Sequence, residues 1–440
     1  MATIAQQPNK NNVAYGYNVW VLSGLGAADR YVLRVKIGGN VVATFKQPAN
    51  PSGEGFFDVS KVLQSYLEPY FAEETVHAVD TDNAHLTYQV DYGSETGNTV
   101  TIDGTSATKF VINAYDNWRN VNADLSDFIP APTSELCESN SNINAVYNRG
   151  YNFLTNYPEA EYTVRSDEYK TLSFYNRIEN FNDGTNWGPN EAPFFVRITG
   201  GANDVVYALS DANGSSVRTD CTDFTCTFDD DNIIATIGIG PANIATLMSA
   251  PYDDYRVRIY SYNHCMTTTI SDCTDYSEII NDGYLGDVIY SANFKIDDSC
   301  SKFEPITVSF LNQYGVKDFY TFDRRNTRRV NTNRQNYDKT LGSWSDTSFA
   351  IRPYDRGRTT FSSAIETVMT LQTNWLTDAT SEWLQELYTS PSVLIYVDGQ
   401  WEPVTITTQT YEEKTEARNN ILYQHEIQVR YSNNKKVQRG

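Results

Sequence analysis

The 440-residue chain is poor in methionine and histidine, with 4 of each, and it carries only 6 cysteines. Histidine is the usual general base near neutral pH, so His77, His85, His264 and His425 leave little room for acid–base chemistry. His425 falls in an alternating run and reads as a packed or partly exposed sheet residue. Cys137, Cys221, Cys226, Cys265, Cys273 and Cys300 are too sparse for a disulfide scaffold. The closest pairs, Cys221/Cys226 and Cys265/Cys273, lack the CxxC spacing that zinc prefers, and only Cys265 has a histidine neighbour, His264. Buried thiols are the reading, and no metal or cofactor is expected. No apolar window approaches the roughly eighteen residues of a spanning helix, so no membrane partner is expected. The opening MATIAQQPNKNNVAYGYN has no apolar run with a basic flank, and no secretory signal is expected.

Catalytic motifs are missing as well. GxSxG, the P-loop, a GxGxxG that opens a helix, and HExxH do not occur. Paired carboxylates could serve a glycosidase, but 55 acidic residues give no basis for choosing a pair. The run Asp229-Asp230-Asp231 lacks the D-x-D-x-D-G spacing of a calcium loop and reads as a solvated turn. No catalytic residue is assigned, and the chain is expected not to be an enzyme.

What is abundant is aromatic. There are 31 Tyr, 20 Phe and 7 Trp, a composition that favours strands and surfaces buried on assembly. Length points to more than one domain, and the pattern predicts a mainly β protein of antiparallel sandwiches with a few short helices and extended arms. Residues 1–128 read as an N-terminal sandwich. Tyr17–Leu22, Tyr31–Ile37 and Val41–Phe45 alternate, and Gly38-Gly39-Asn40 makes a hairpin turn. Asp58 or Ser60 is expected to cap a short helix that ends near Pro69. Leu86–Tyr92, Thr99–Ile102 and Lys109–Tyr115 complete that set of strands. Residues 129–165, rich in Asn, Ser and Pro, read as a linker or arm. A middle β-domain follows over 166–300, with strands at Phe194–Ile198, Val205–Leu209, Ile233–Ile239 and Tyr255–Tyr262. Residues 301–440 form a C-terminal β-rich domain, with strands at Ile306–Leu311 and Asp318–Phe322, a short helix over 378–388, a hairpin turning at Asp398-Gly399, and a closing strand over Tyr423–Tyr431.

Charge is divided unevenly along the chain, whose net is -21. Residues 1–316 hold 18 Lys+Arg against 40 Asp+Glu, a net of -22, whereas residues 317–440 hold 16 against 15, a net of +1. Much of the positive charge falls in FLNQYGVKDFYTFDRRNTRRVNTNR, where Arg324, Arg325, Arg328, Arg329 and Arg334 begin a polar arm over 323–342. Such a cluster can grip nucleic acid phosphates, dock on an acidic neighbour, or sit solvated in a loop. The acidic remainder repels duplex DNA, and it supplies the complementary surface if copies meet. Docking between subunits is therefore the preferred role of these five arginines, with complementarity fixing register.

Three pieces, FFDVSKVLQSYL, CSKFEPITVSFLNQYGVKDFYTF and the C-terminal run from SPSVLIYVDGQW, carry a resemblance. Through Asp58-Val59-Ser60, Cys300, Phe310-Leu311-Asn312, Gly315, Phe319, Thr321-Phe322 and Asn434-Lys435-Lys436, the chain resembles virion structural proteins of tailed bacteriophages that infect Bacteroidetes, crAss-like phages included. The resemblance implies a ring or collar subunit of the tail or head–tail connector, assembled around the DNA channel in the host cytoplasm. It also implies partners: other copies in a twelve-fold or six-fold ring, neighbouring tail or portal proteins, and DNA that is near but not specifically bound. A tail-tube subunit is usually smaller and single-domain, which favours the ring. The alternative is a tail-associated host-recognition or glycan-binding module presenting aromatic platforms such as Trp187 or Trp344.

Overall fold

A computed structural model describes residues 1–75, 78–79, 84–117, 119–120, 123, 125, 127–130, 150–175, 194–208, 234–262, 285–299, 302–408 and 423–433. All six cysteines, His264, Trp187 and Asp229-Asp230-Asp231 lie outside these residues. The fold is mainly β, and it divides into two compact units: Met1–Ser299 with Leu311–Phe319, and Cys300–Phe310 with Tyr320–Gly440.

The first unit opens with β1 (Thr3–Gln6), β2 (Asn11–Val13), β3 (Val19–Ser23), β4 (Arg30–Ile37), β5 (Asn40–Gln47) and β6 (Gly55–Asp58). The short helix α1 (Ser60–Gln64) precedes β7 (Ala78–Val79), β8 (His85–Thr96), β9 (Thr99–Thr105) and β10 (Lys109–Ile112). A three-stranded sheet, β1-β3-β6, faces a six-stranded one ordered β2-β10-β8-β4-β5, with β9 on β8. Trp20, Leu22 and Phe57 from the first sheet and Leu33, Val35, Tyr88 and Val90 from the second share one core, which makes the pair a sandwich. The strands are antiparallel save β2 beside β10, which run parallel. Helix α1 begins without a side-chain cap, its N-cap being Val59. Asp58 and Ser60, expected as caps, instead bond each other, the Ser60 amide donating to Asp58 Oδ1 at 2.9 Å.

A second sandwich in the same unit uses β11 (Glu161–Val164), β12 (Thr171–Tyr175), β13 (Phe194–Gly200), β14 (Asn203–Ala208) and β15 (Ile234–Gly238), then helix α2 (Pro241–Ile244), β16 (Asp254–Tyr262) and β17 (Leu285–Ile296). Its sheets, β11-β17-β16-β13-β14 and β12-β15-β7, enclose Phe174, Val196, Ile237, Val257 and Phe294. Strand β7 comes from the first hundred residues. A further cluster joins Val13, Phe110 and Ile112 to Tyr175, Ile234 and Val316, so both sandwiches lie in one unit. Part of the segment expected as a linker is built into this core: Glu161–Val164 is a strand, and Phe153 and Leu154 are 6 % and 3 % exposed. Their apolar side chains find a partner sheet that local composition does not show.

The second unit holds most of β18 (Ile306–Leu311) and half of β19 (Lys317–Phe322), then β20 (Asn326–Asp338), β21 (Ser343–Ser345), β22 (Ser348–Ala350), β23 (Arg358–Gln372), helix α3 (Asp378–Thr389), β24 (Val393–Val397), β25 (Gln400–Ile406) and β26 (Glu426–Tyr431). Seven strands form one sheet, β19-β18-β24-β25-β26-β23-β20. Thr377 caps α3 by accepting from the Thr380 amide at 3.3 Å, and Trp383, Leu384 and Leu387 are buried. Ser381 and the ring nitrogen Nε2 of His425, 2.7 Å apart, tie α3 to the chain entering β26.

Residues 311–319, the turn between β18 and β19, belong to the first unit. The Asn312 side chain donates to Leu154 O at 2.8 Å and accepts from the Tyr314 and Val316 amides at 2.9 and 3.2 Å. Gly315 sits at φ +74°, and a Cβ there would come within 2.1 Å of Asn113 O. Gly315→Ala combines a left-handed backbone with a clash against main chain, and is expected to destabilise the first unit by about 2–4 kcal/mol. Urea unfolding followed by tyrosine fluorescence measures this, and a loss below about 1 kcal/mol would mean that the turn is loose.

Candidate assembly surface

The polar arm expected over 323–342 is not a loop. From Asn326 to Asp338 it is a strand, paired antiparallel with β23 from Asn326↔Leu371 to Asp338↔Arg358, with one register shift between Gln335 and Asn336. Its Asn, Thr and Arg side chains gave no apolar alternation because neither face is covered: every residue from Thr327 to Asp338 is exposed. Pairing with β23, whose partner residues lie 20 to 45 positions later in sequence, supplies the order instead.

Strand β26 supports β23 only over Val368–Gln372. Among the described residues, β20 and β23 run on alone beyond that point as a two-stranded ribbon. Its nine residues 330–338 extend about 30 Å at the usual strand rise. A cleft of about 580 Å³, lined by Asn331, Ala364, Glu366, Thr405, Arg430 and Tyr431 among others, opens where the ribbon departs. The small hairpin of β21 and β22, with Trp344 opposite Phe349, lies between the two long strands.

Apolar exposure concentrates on this ribbon. Among the described residues, 18 large hydrophobic side chains are exposed, and 8 of them lie between 330 and 361. They include Trp344 at 68 %, Tyr354 at 69 %, Ile351 at 63 % and Phe361 at 57 %. A two-stranded hairpin is marginally stable in water by itself, and large exposed apolar patches mark interaction surfaces.

The five sequence-selected arginines do not form one patch. Arg324 donates twice to Asn374 Oδ1, at 3.1 and 2.7 Å, and lies 3.9 Å from Asp323. The Arg328 guanidinium sits 5.0 Å over the ring of Tyr431. Burial lifts the Tyr431 phenol above its ordinary range, with Arg328 pulling the other way. Both arginines thus have partners within their own chain. Arg325, Arg329 and Arg334 are exposed and make no hydrogen bond or ion pair among the described residues. Strand alternation puts Arg334 on the face of Arg328 and Arg329 on the opposite one.

Sequence reasoning missed the return strand. Arg356 and Arg358 close the ribbon, and Arg352 donates to the Tyr354 hydroxyl at 2.7 Å. Residues 323–361 together carry 9 Lys+Arg against 4 Asp+Glu, a net of +5 on an otherwise acidic chain. The usable signal was RTTFSSAIETVMTLQ, fifteen residues with no Gly or Pro and many β-branched side chains. Among the described residues no group of three or more His, Cys, Asp or Glu could hold a metal ion, and no helix is long and apolar enough to cross a membrane.

No family model matches the chain, and no curated protein matches it. Solved structures give remote likenesses. Fibronectin(III)-like modules of CbhA from Clostridium thermocellum align at 6 % identity over 68 % of this chain and 94 % of that one, with a TM-score of 0.15. A tetra-tandem repeat from the extending region of a large adhesion protein aligns at 10 % identity over 84 % of this chain and 69 % of the other, with a TM-score of 0.21. Extracellular domains 3–5 of Drosophila OTK align at 11 % identity over 84 % and 92 % respectively, with a TM-score of 0.18. No role is carried over from these proteins.

Proposed function

We propose that this protein is a structural subunit of a phage virion, a ring or collar protein of the tail or head–tail connector that assembles around the DNA channel in the host cytoplasm. One observation supports the assembly role above the rest: a basic ribbon with an apolar tip projects from the sheet of an acidic polypeptide. Opposite charges on one chain suit head-to-tail contacts, in which one patch meets a different patch of the next copy and the ring closes by rotation. The phage assignment rests on the resemblance of the three sequence pieces, and the twelve-fold or six-fold count comes from the same source. Neighbouring tail or portal proteins are its further partners, and DNA in the lumen is not specifically bound.

The test removes the ribbon. Arg334 pairs with Ser363, so residues 335–362 can be replaced by Asn-Gly, a two-residue turn that fits such a hairpin. The full chain is expected to form rings in mass photometry and negative-stain images, and the shortened one to stay folded by circular dichroism but monomeric. Replacing Arg325, Arg329 and Arg334 by Ser is expected to weaken assembly roughly tenfold, more at low salt than at high. Rings that persist without the ribbon, or a full chain that is monomeric at micromolar concentration, would refute the assembly role. Trp344, exposed at the tip, also suits a sugar platform; glycan-array binding by the monomer, lost on Trp344→Ala, would favour the host-recognition reading instead.

A further inference from the structure

If the ribbon docks on another copy, a second surface must receive it, and the first unit carries a candidate built from tyrosines. Tyr15 and Tyr17 are 52 % and 41 % exposed on the turn after β2, Tyr66 is 46 % exposed just beyond α1, and Tyr115 is 42 % exposed after β10. Main-chain contacts bring these three segments together. The Tyr15 amide donates to Ala114 O at 3.0 Å. The Gln64 side chain donates to Ala14 O, and the Ser60 hydroxyl to Gly16 O, both at 2.9 Å.

The turn that carries Tyr15 and Tyr17 is held from below by two buried amides, Asn12 and Asn18, at 1 % and 0 % exposure. Asn12 Nδ2 donates to Tyr17 O at 3.2 Å and to Asn18 Oδ1 at 3.3 Å, while Asn18 Nδ2 donates to Val13 O at 3.0 Å. Buried, satisfied amides of this kind fix one conformation. A rigid turn that points aromatic rings at solvent loses little conformational freedom on binding, which is how interface anchors are built.

Resting on the docking role proposed above, we infer that this tyrosine cluster is the acceptor for the ribbon of a second copy of the chain. Arginine stacks on aromatic faces better than lysine does, and the ribbon with its tip offers Arg334, Arg356 and Arg358 as well as the exposed Trp344, Tyr354 and Phe361. In sequence, the segments that carry these tyrosines also hold Asp58, Glu68 and Asp116 against Lys61 and Arg119. The local charge therefore favours cations only slightly. Stacking selects the partner at short range, and the net of -22 over residues 1–316 draws it in from further away.

The experiment places a benzophenone amino acid at position 361 and mixes copies of natural and heavy nitrogen. After irradiation, mass spectrometry reads which residues of the other copy are joined. Links to residues 14–18, 66 or 115 are expected. Links to another region of a second copy would overturn the acceptor assignment while leaving ribbon docking intact. An absence of links between copies would overturn both. A companion variant, Tyr15→Ser/Tyr17→Ser/Tyr66→Ser, changes exposed side chains only and should keep its circular dichroism spectrum while assembling at least tenfold more weakly. Unchanged assembly of that variant would overturn the assignment.

Discussion

Raising the pH above 10 is expected to unfold the first unit cooperatively near pH 11. The cause is a set of phenols that cannot ionise where they sit. Tyr88, Tyr162, Tyr255 and Tyr290 are at most 8 % exposed, and burial pushes each of them above the ordinary tyrosine range. Burial also pushes Tyr70 up to about 12. Its ring is only partly buried, but its hydroxyl is enclosed, 3.2 Å from Ser173 Oγ and 2.8 Å from Thr236 Oγ1. A group whose folded pKa lies above its unfolded value of about 10 contributes stability that is complete below pH 10 and is lost as the pH rises toward the folded value. Each such phenol withdraws about 1.4 kcal/mol per pH unit above 10, so five withdraw about 7 kcal/mol by pH 11. That equals the lower half of the usual stability range of a domain, about 5–15 kcal/mol. Tyrosinate absorbance at 295 nm and far-ultraviolet circular dichroism should therefore change together. Phenols that titrate gradually while the strands persist would show that these side chains reach solvent without unfolding.

The same tyrosines explain why the fold was legible in outline and the site was not. Strands with a largely buried apolar run announced themselves: Arg30–Ile37, Ile306–Leu311 and the hairpin turning at Asp398-Gly399 stand where apolar pattern and turn residues put them. Asp398 and Gly399 both take positive φ, 53° and 78°, as such a two-residue turn requires. The ribbon failed that test because both of its faces are polar or exposed, so periodicity had nothing to report and 323–342 read as a loop. The concentration of arginine was visible, but which arginines remain unpaired was not. That depends on Asn374 and Tyr431, fifty and about a hundred residues away in the chain. Likewise Tyr15 and Tyr115 are a hundred positions apart and become neighbours only because β2 runs parallel to β10. Local pattern records which face is buried; it does not record which exposed residues meet.

Lys317→Met is expected to destabilise the first unit by about 3–5 kcal/mol, more than most single substitutions. Lys317 Nζ lies 3.4 Å from Glu73 Oε1, and the two side chains are 1 % and 0 % exposed. Burial holds the lysine below its ordinary range, and the carboxylate of Glu73 pushes it back up. Two ions withdrawn from water stabilise little as a pair, because desolvation offsets their attraction, yet either one left alone is a buried uncompensated charge. The second carboxylate oxygen of Glu73 accepts from the Ala72 amide at 2.8 Å, which does not replace the ammonium. The double variant Lys317→Met/Glu73→Leu is therefore expected to recover most of the loss, giving an interaction energy of about 2–3 kcal/mol in a double-mutant cycle. Lys317 stands in the 311–319 turn and Glu73 lies 244 positions earlier, so the pair also reports how firmly that turn is seated in the first unit. Urea midpoints of the four proteins decide the matter. If the single variants lose less than about 1 kcal/mol, water reaches the pair and the turn is held by its other contacts, among them the Asn312 hydrogen bonds, the Tyr115 amide on Gln313 O and the Thr155 hydroxyl on Asp318.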